Sequence, residues 1–169
     1  HRSSTCGDVI EWQKDMAADV RSSPVLNNDS SVLYIGVMNE VHVEQHTGGI
    51  YALDASFKEW YGGQGGRLLA SVQMEASCAG TPVLTASNSM AFIGCSDGLH
   101  AYTLGETDET FFSGSATSHF TPAWDFPTGN APIESASVLS PDETILFAAS
   151  ITDGKIRAFR TDVTLQSGT

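Results

Sequence analysis

At 169 residues the chain is long enough for one domain of ordinary size with a core of its own. Hydrophobic residues make up 41% and charged residues 17%, which is too apolar for a disordered tail, and no run approaches the ~18 apolar residues of a membrane-spanning helix. With 20 acidic side chains against 8 basic ones the formal charge is −12; that excess is repelled by a phosphate backbone, which excludes a nucleic-acid partner, and it favours a basic protein surface.

The chain begins at His1, without Met and without a signal-like apolar run, which reads as a processed product or a fragment. Its cysteines are Cys6, Cys78 and Cys95. An odd number with no CxxC pair argues against a zinc ribbon or a thioredoxin-type motif. Residues 9–12 read as an outer strand. Trp12, Met16 and Val20 at i, i+4 and i+8 would also suit an amphipathic helix. The strand is preferred because the matching segment around Trp124 contains Pro122 and Pro127, which a helix interior does not tolerate.

From Pro24 onward the sequence repeats. PVLNNDSSVLYIG from Pro24, PVLTASNSMAFIG from Pro82 and SVLSPDETILFAA from Ser137 align without gaps, at offsets of 58 and 55 residues. Each has a short apolar pair, a polar turn, and an apolar run whose third residue is aromatic: Tyr34, Phe92 and Phe147. Each is followed by a Gly-led apolar segment beginning at Gly49, Gly98 or Gly154, the last two preceded by Asp97 and Asp153. Asp-Gly between apolar runs is a hairpin signal, because Gly accepts the positive φ of such a turn. A fourth strand carries Trp12 upstream of the first unit and Trp124 upstream of the third. The corresponding place in the middle unit is Ala70.

Four short strands per period of 55–58 residues is the pattern of a β-propeller. The strings SSPVL, VLYIG and GGIYALDA within residues 22–55 resemble the quinoprotein-type, or pyrroloquinoline quinone (PQQ)-like, propeller repeat. TPVL with AFIGCSDGLHAY, and ASVLSPDETILFAASITDGKIRAF, resemble it too. The likeness runs from Val9 to Arg160. It implies an all-β fold of four-stranded antiparallel blades in which Trp12 and Trp124 dock between blades. The chain departs from that repeat at Ala70, and at Ser56-Phe57-Lys58, where Thr-Gly-Lys is usual; Trp60 could be a substitute docking residue. The expected layout is a single partial propeller over 1–169. It has a strand at 9–12, then repeats over about 22–72, 80–127 and 135–160. The last has three strands, so about three blades are present where closed rings have 4 to 8.

Several residue groups could carry chemistry. His42, Glu44 and His46 alternate within an insertion and would share one face of a strand, a possible metal site lacking a fourth ligand; the bland reading is a solvated polar hairpin. Asp29, Asp97, Asp142 and Asp153 sit at turns, where turn stabilisation competes with calcium binding. Cys78 and Cys95 fall nearly opposite one another across the predicted hairpin of the second unit, which allows a disulfide or two buried thiols. Asn28-Asp29-Ser30 is a glycosylation acceptor sequence on a predicted turn. Gly62-Gly63-Gln64-Gly65-Gly66 lacks the Lys-Ser/Thr of a phosphate loop and reads as a flexible connection. Phe111 and Phe112 lie in a polar insertion, where they would anchor a partner or tuck under the loop.

The sequence therefore predicts a non-enzymatic propeller scaffold or binding subunit without cofactor. It would be completed by other subunits or by further blades of its own polypeptide, in an extracellular, periplasmic or organelle-luminal setting. The alternative implied by the resemblance is a fragment of a PQQ-dependent dehydrogenase. Such enzymes commonly carry an adjacent Cys-Cys pair over the cofactor, and this chain has none. A propeller hydrolase or lyase is a third reading, but no Gly-x-Ser-x-Gly elbow occurs.

Overall fold

The computed structural model describes residues 12–16, 18–38, 48–55, 66–105, 119–129, 131–150 and 152–162. Among these there is no helix, and eleven strands form three antiparallel sheets. The first blade is β1 (Val25–Leu26), β2 (Val32–Val37), β3 (Gly48–Asp54) and β4 (Leu68–Met74), paired in chain order. The second follows the same order with β5 (Val83–Leu84), β6 (Met90–Gly94), β7 (Gly98–Leu104) and β8 (Phe120–Pro127). The third holds β9 (Val138–Leu139), β10 (Ile145–Ala149) and β11 (Ile156–Arg160). These are β-propeller blades, about three of them.

The repeat is visible atom by atom in the turns that join the first two strands of each blade. Asn27, Thr85 and Ser140 are equivalent, and each backbone N–H donates to a carbonyl five residues on: Val32, Met90 and Ile145. Their side-chain oxygens also accept from those same residues' N–H groups, at 2.9, 3.0 and 3.0 Å. The third turn residue, Ser30, Asn88 or Glu143, takes φ between 54° and 60° in every blade. One local recipe, a polar side chain closing its own loop, thus folds three different sequences identically.

The Asp-Gly hairpins differ between blades. Gly154 adopts φ 66° as the turn chemistry predicts. Gly98 instead begins β7, where a Cβ would stand 2.2 Å from the Phe126 carbonyl oxygen. Close passage of β8 demands glycine there.

Ahead of β1, residues 12–16 carry no strand, so Trp12 is not the end of one; residues 9–11 lie outside the described residues. Trp12 nevertheless packs on the first blade, since a Cβ on Gly66 would come within 2.6 Å of its ring.

Two apolar seams hold the blades together. The first collects Tyr34, Ile50 and Ala52 from the first blade with Ala91, Ile93, Tyr102, Leu104 and Phe120 from the second. The second collects Phe92, Leu99, Ala101 and Trp124 with Leu146, Ala148 and Phe159 of the third blade. Period-two alternation sends one residue set backward and the next set forward, so β6 and β7 of the second blade serve both seams. The connecting segments also belong to the seams. Cys78 N–H donates to the Val37 carbonyl at 3.1 Å, and Ile133 N–H donates to the Cys95 carbonyl at the same distance.

Candidate interaction surface

The aromatic at the third position of β2 is 2% exposed (Tyr34) and that of β6 is fully buried (Phe92), each covered by the following blade. The third, Phe147, is 41% exposed. Its neighbours Leu146 and Ala148 point back into the second seam and are buried. Phe147 lies opposite Val138 on one side and Ala158 on the other, and Ala149 lies opposite Ile156. Val138 is 61% exposed and Ile156 78%. Val138, Phe147, Ala158 and Ile156 therefore form an apolar face across three strands, with no further sheet against it among the described residues. Ile145 on the same blade is half-buried. The outer edge of β11 has no strand beside it among the described residues, unlike β3 and β7, which pair with β4 and β8.

Trp124 occupies the second seam. Its ring centroid is 5.8 Å from that of Phe92, and its indole N–H donates to the Thr161 carbonyl of the third blade at 3.3 Å. In the β-ladder it faces Ala101, the place that Ala70 takes opposite Ala52 in the first blade. The first seam replaces the missing indole with other rings. Tyr34, His119, Phe120 and Tyr102 interlock there, Tyr102 and Phe120 edge to face at 5.8 Å. The Tyr34 hydroxyl and His119 Nε2 are hydrogen-bonded at 2.8 Å. Burial raises the Tyr34 pKa, pushes that of Tyr102 up to about 12, and lowers that of His119, so all three groups are held neutral.

Cys78 and Cys95 are joined in a disulfide that ties the connection between the first two blades to the end of β6. Nearby, Cys95, Asp97 and His100 bring their ligand-type atoms within 4.8 Å of one another, and His100 Nε2 is 2.8 Å from Asp97 Oδ1. The sequence points to Asp97 as a turn carboxylate, for turn stabilisation or calcium, and not to His100. The alternation Cys95-x-Asp97 followed by His100 across a tight hairpin was the available signal.

The other turn carboxylates are engaged by their own loops. Asp29 accepts from the Ser31 N–H at 3.0 Å and from its hydroxyl at 2.6 Å, and Asp142 accepts from Ser140 and Thr144. These hydrogen bonds hold both carboxyls below the usual range. Asp153 receives the Arg157 guanidinium and the Lys155 N–H, and is lowered to about 2, chiefly by the Arg157 hydrogen bond. Asn28 sits on the first turn and its Nδ2 donates to the Ala86 carbonyl of the next blade. His42, Glu44, His46, Cys6, Trp60, Phe111, Phe112 and residues 62–65 lie outside the described residues.

No family model matches the chain, and no curated protein matches it. Solved structures do. A chain from "Crystal Structure of Mitotic Checkpoint Complex" is similar with TM-score 0.56 and 16% identity over 81% of this chain and 35% of its own. The Swd1 (Cps50) β-propeller domain of Myceliophteria thermophila gives 0.54 and 11%, over 83% of this chain and 43% of its own. Hydrazine synthase of Kuenenia stuttgartiensis gives 0.53 and 15%, over 84% of this chain and 45% of its own. The chain thus spans less than half the length of each. These likenesses establish the β-propeller fold and leave activity open, since the fold hosts unrelated functions. No helix among the described residues is long and apolar enough to cross a membrane.

Proposed function

We propose that this chain is part of a non-enzymatic β-propeller scaffold, of the PQQ-like repeat type, that binds its partners as a component of a larger assembly. The open face of the third blade carries the reading. Val138, Phe147 and Ile156 stay exposed at 61%, 41% and 78%, although the equivalents of Phe147 in the two preceding blades are covered by a neighbouring sheet. Each fully buried side chain of this size is worth about 1.5–3 kcal/mol, so an uncovered face forgoes an amount comparable to a domain's net stability. The occupant that fits is another blade of the same repeat, from the remainder of the polypeptide or from a second subunit. Buried cystine sulfur favours an oxidising compartment for the assembly, outside the cell, in the periplasm or in an organelle lumen.

The test is sedimentation and light scattering on the isolated 169-residue chain, with a hydrophobic dye as reporter. Self-association or strong dye binding is expected. A soluble monomer that unfolds cooperatively and leaves the dye dark would overturn the reading.

A further inference from the structure

The scaffold reading uses the Cys78–Cys95 cystine only as a sign of compartment, and it leaves the neighbouring Asp97 and His100 without a role. We propose that reduction of the Cys78–Cys95 disulfide converts this corner of the second blade into a zinc-type metal site, with two thiolates, the His100 imidazole and the Asp97 carboxylate as its donors.

The backbone brings the two cysteines together without help from their sulfur bond. Ser96 N–H donates to the Ser77 carbonyl at 2.8 Å, and Ser77 N–H donates to the Ser96 hydroxyl at 3.1 Å. Gly80 N–H donates to the Gly94 carbonyl at 3.1 Å. These bonds bracket both cysteines, whose Cα atoms are 4.0 Å apart. After reduction the thiols therefore stay side by side. Tetrahedral zinc holds two sulfurs about 2.3 Å from the metal, hence about 3.8 Å from one another, a separation that small χ rotations from a cystine can reach.

The remaining donors are fixed by the hairpin that follows. Cys95 N–H donates to the Gly98 carbonyl at 2.7 Å, folding residues 95–98 into a tight turn. That turn puts Asp97 beside His100, which is locked in β7 opposite Ile93 and Asp125. Cys95 Sγ, the Asp97 carboxylate and a His100 ring nitrogen already lie within 4.8 Å of one another. The sulfurs are fully buried, the imidazole is half-buried, and the carboxylate is exposed, so a cation has an entry on the Asp97 side. Paired thiolates with imidazole select zinc over calcium or magnesium, and Asp125 beside His100 adds negative charge without competing for the sulfurs.

The chemistry balances simply. A dithiol reductant attacks one cystine sulfur, transfers two electrons, departs as its own cyclic disulfide, and leaves its two protons on Cys78 and Cys95. Metal binding then releases both thiol protons to solvent as the two metal–sulfur bonds form. While the disulfide is intact neither sulfur has a thiolate to offer, so the two states exclude one another.

The test is anaerobic cobalt titration of the full chain, reduced with a dithiol and freed of it by gel filtration, against the oxidised chain. The reduced chain should bind one Co²⁺ with thiolate-to-cobalt charge transfer and intense tetrahedral d–d bands, displaced by Zn²⁺; the oxidised chain should show neither. Cys6→Ser should leave the spectrum intact, which sets the third cysteine aside. His100→Ala and Asp97→Asn should each weaken binding about 10-fold or more. If the reduced apoprotein loses structure, added zinc should restore its circular dichroism. The proposal is overturned if the reduced chain develops no sulfur charge-transfer band, if Cys6→Ser abolishes it, or if His100→Ala binds within twofold of the parent.

Discussion

The Trp124 indole N–H and the Thr161 carbonyl meet at 3.3 Å across the seam between the second and third blades, although 37 residues separate them. The third blade is thereby latched by an aromatic side chain that packs at a tilt against Phe92 and also satisfies its polar atom. Trp124→Ala should cost about 3–5 kcal/mol through lost burial and the cavity left in the seam. Trp124→Phe should recover part of that loss and leave the Thr161 carbonyl unpaired. Urea unfolding of the two variants, with intrinsic fluorescence or circular dichroism as probe, checks the order. If both match the parent within experimental scatter, the latch contributes nothing.

The disulfide closes a loop between residues 17 apart in sequence. Constraining the unfolded chain over that length is worth roughly 3 kcal/mol. The Cys78→Ala/Cys95→Ala double variant should lose about that much while keeping the fold, because the Ser77–Ser96 and Gly80–Gly94 hydrogen bonds remain. Calorimetry of the oxidised parent and the double variant measures the difference. Peptide mapping without reduction should recover Cys78 and Cys95 as one cross-linked species.

Acid stability should be lost in two windows. His119 is buried neutral, and desolvation lowers its pKa from 6.5. Below pH 6.5 the unfolded chain takes up a proton that the folded seam resists, so stability falls as pH drops from there. His119→Gln should flatten that slope while retaining a polar partner for Tyr34. The second window belongs to the depressed turn carboxyls of Asp29, Asp142 and Asp153, which contribute stability above their unfolded value of 3.8 and lose it as pH falls through their folded values, for Asp153 about 2. Asp153→Asn should remove its share of this acid limb. Tm measured at half-unit steps from pH 7 to 2 distinguishes the two, and parallel profiles for parent and variants would contradict both assignments.

The blades were legible because their information is local. The gap-free alignment of Pro24, Pro82 and Ser137 encodes three copies of one turn, and a turn whose side chain closes its own loop needs no distant partner. The outer-strand spacing, 12 residues from Ala70 to Pro82 and 13 from Trp124 to Ser137, pairs those two positions, and the strand register places both opposite equivalent alanines. Seam chemistry was not legible. Tyr34 and His119 are 85 residues apart, and their contact depends on how one blade face meets the next. The cluster at Cys95, Asp97 and His100 depends on a hairpin turned tightly enough to bring an edge residue over a strand residue, which the Asp-Gly pair alone does not specify. The expectation of a strand ending at Trp12 came from the outer-strand tryptophan pattern, yet Trp12 makes its contact with Gly66 without strand pairing of its own.

Leu146 and Phe147 are adjacent on β10 and should respond oppositely to substitution. Leu146 is buried against the second blade, whereas Phe147 points to the uncovered side. Leu146→Ala should cost about 2–5 kcal/mol, as buried leucine truncations do. Phe147→Ser should change the stability of the isolated chain by about 0.5 kcal/mol or less, the range for surface positions. Combined with Ile156→Ser, it should also reduce hydrophobic-dye binding and self-association, because it removes the centre and one flank of the apolar face. In the complete assembly the same double substitution should be destabilising, since both side chains would then lie within a seam like those around Tyr34 and Phe92. Paired denaturation curves, of the isolated chain and of the chain in its assembly, carry the test. A Phe147→Ser penalty as large as that of Leu146→Ala in the isolated chain would mean that the face is already covered. Equal insensitivity in both settings would mean that nothing docks there.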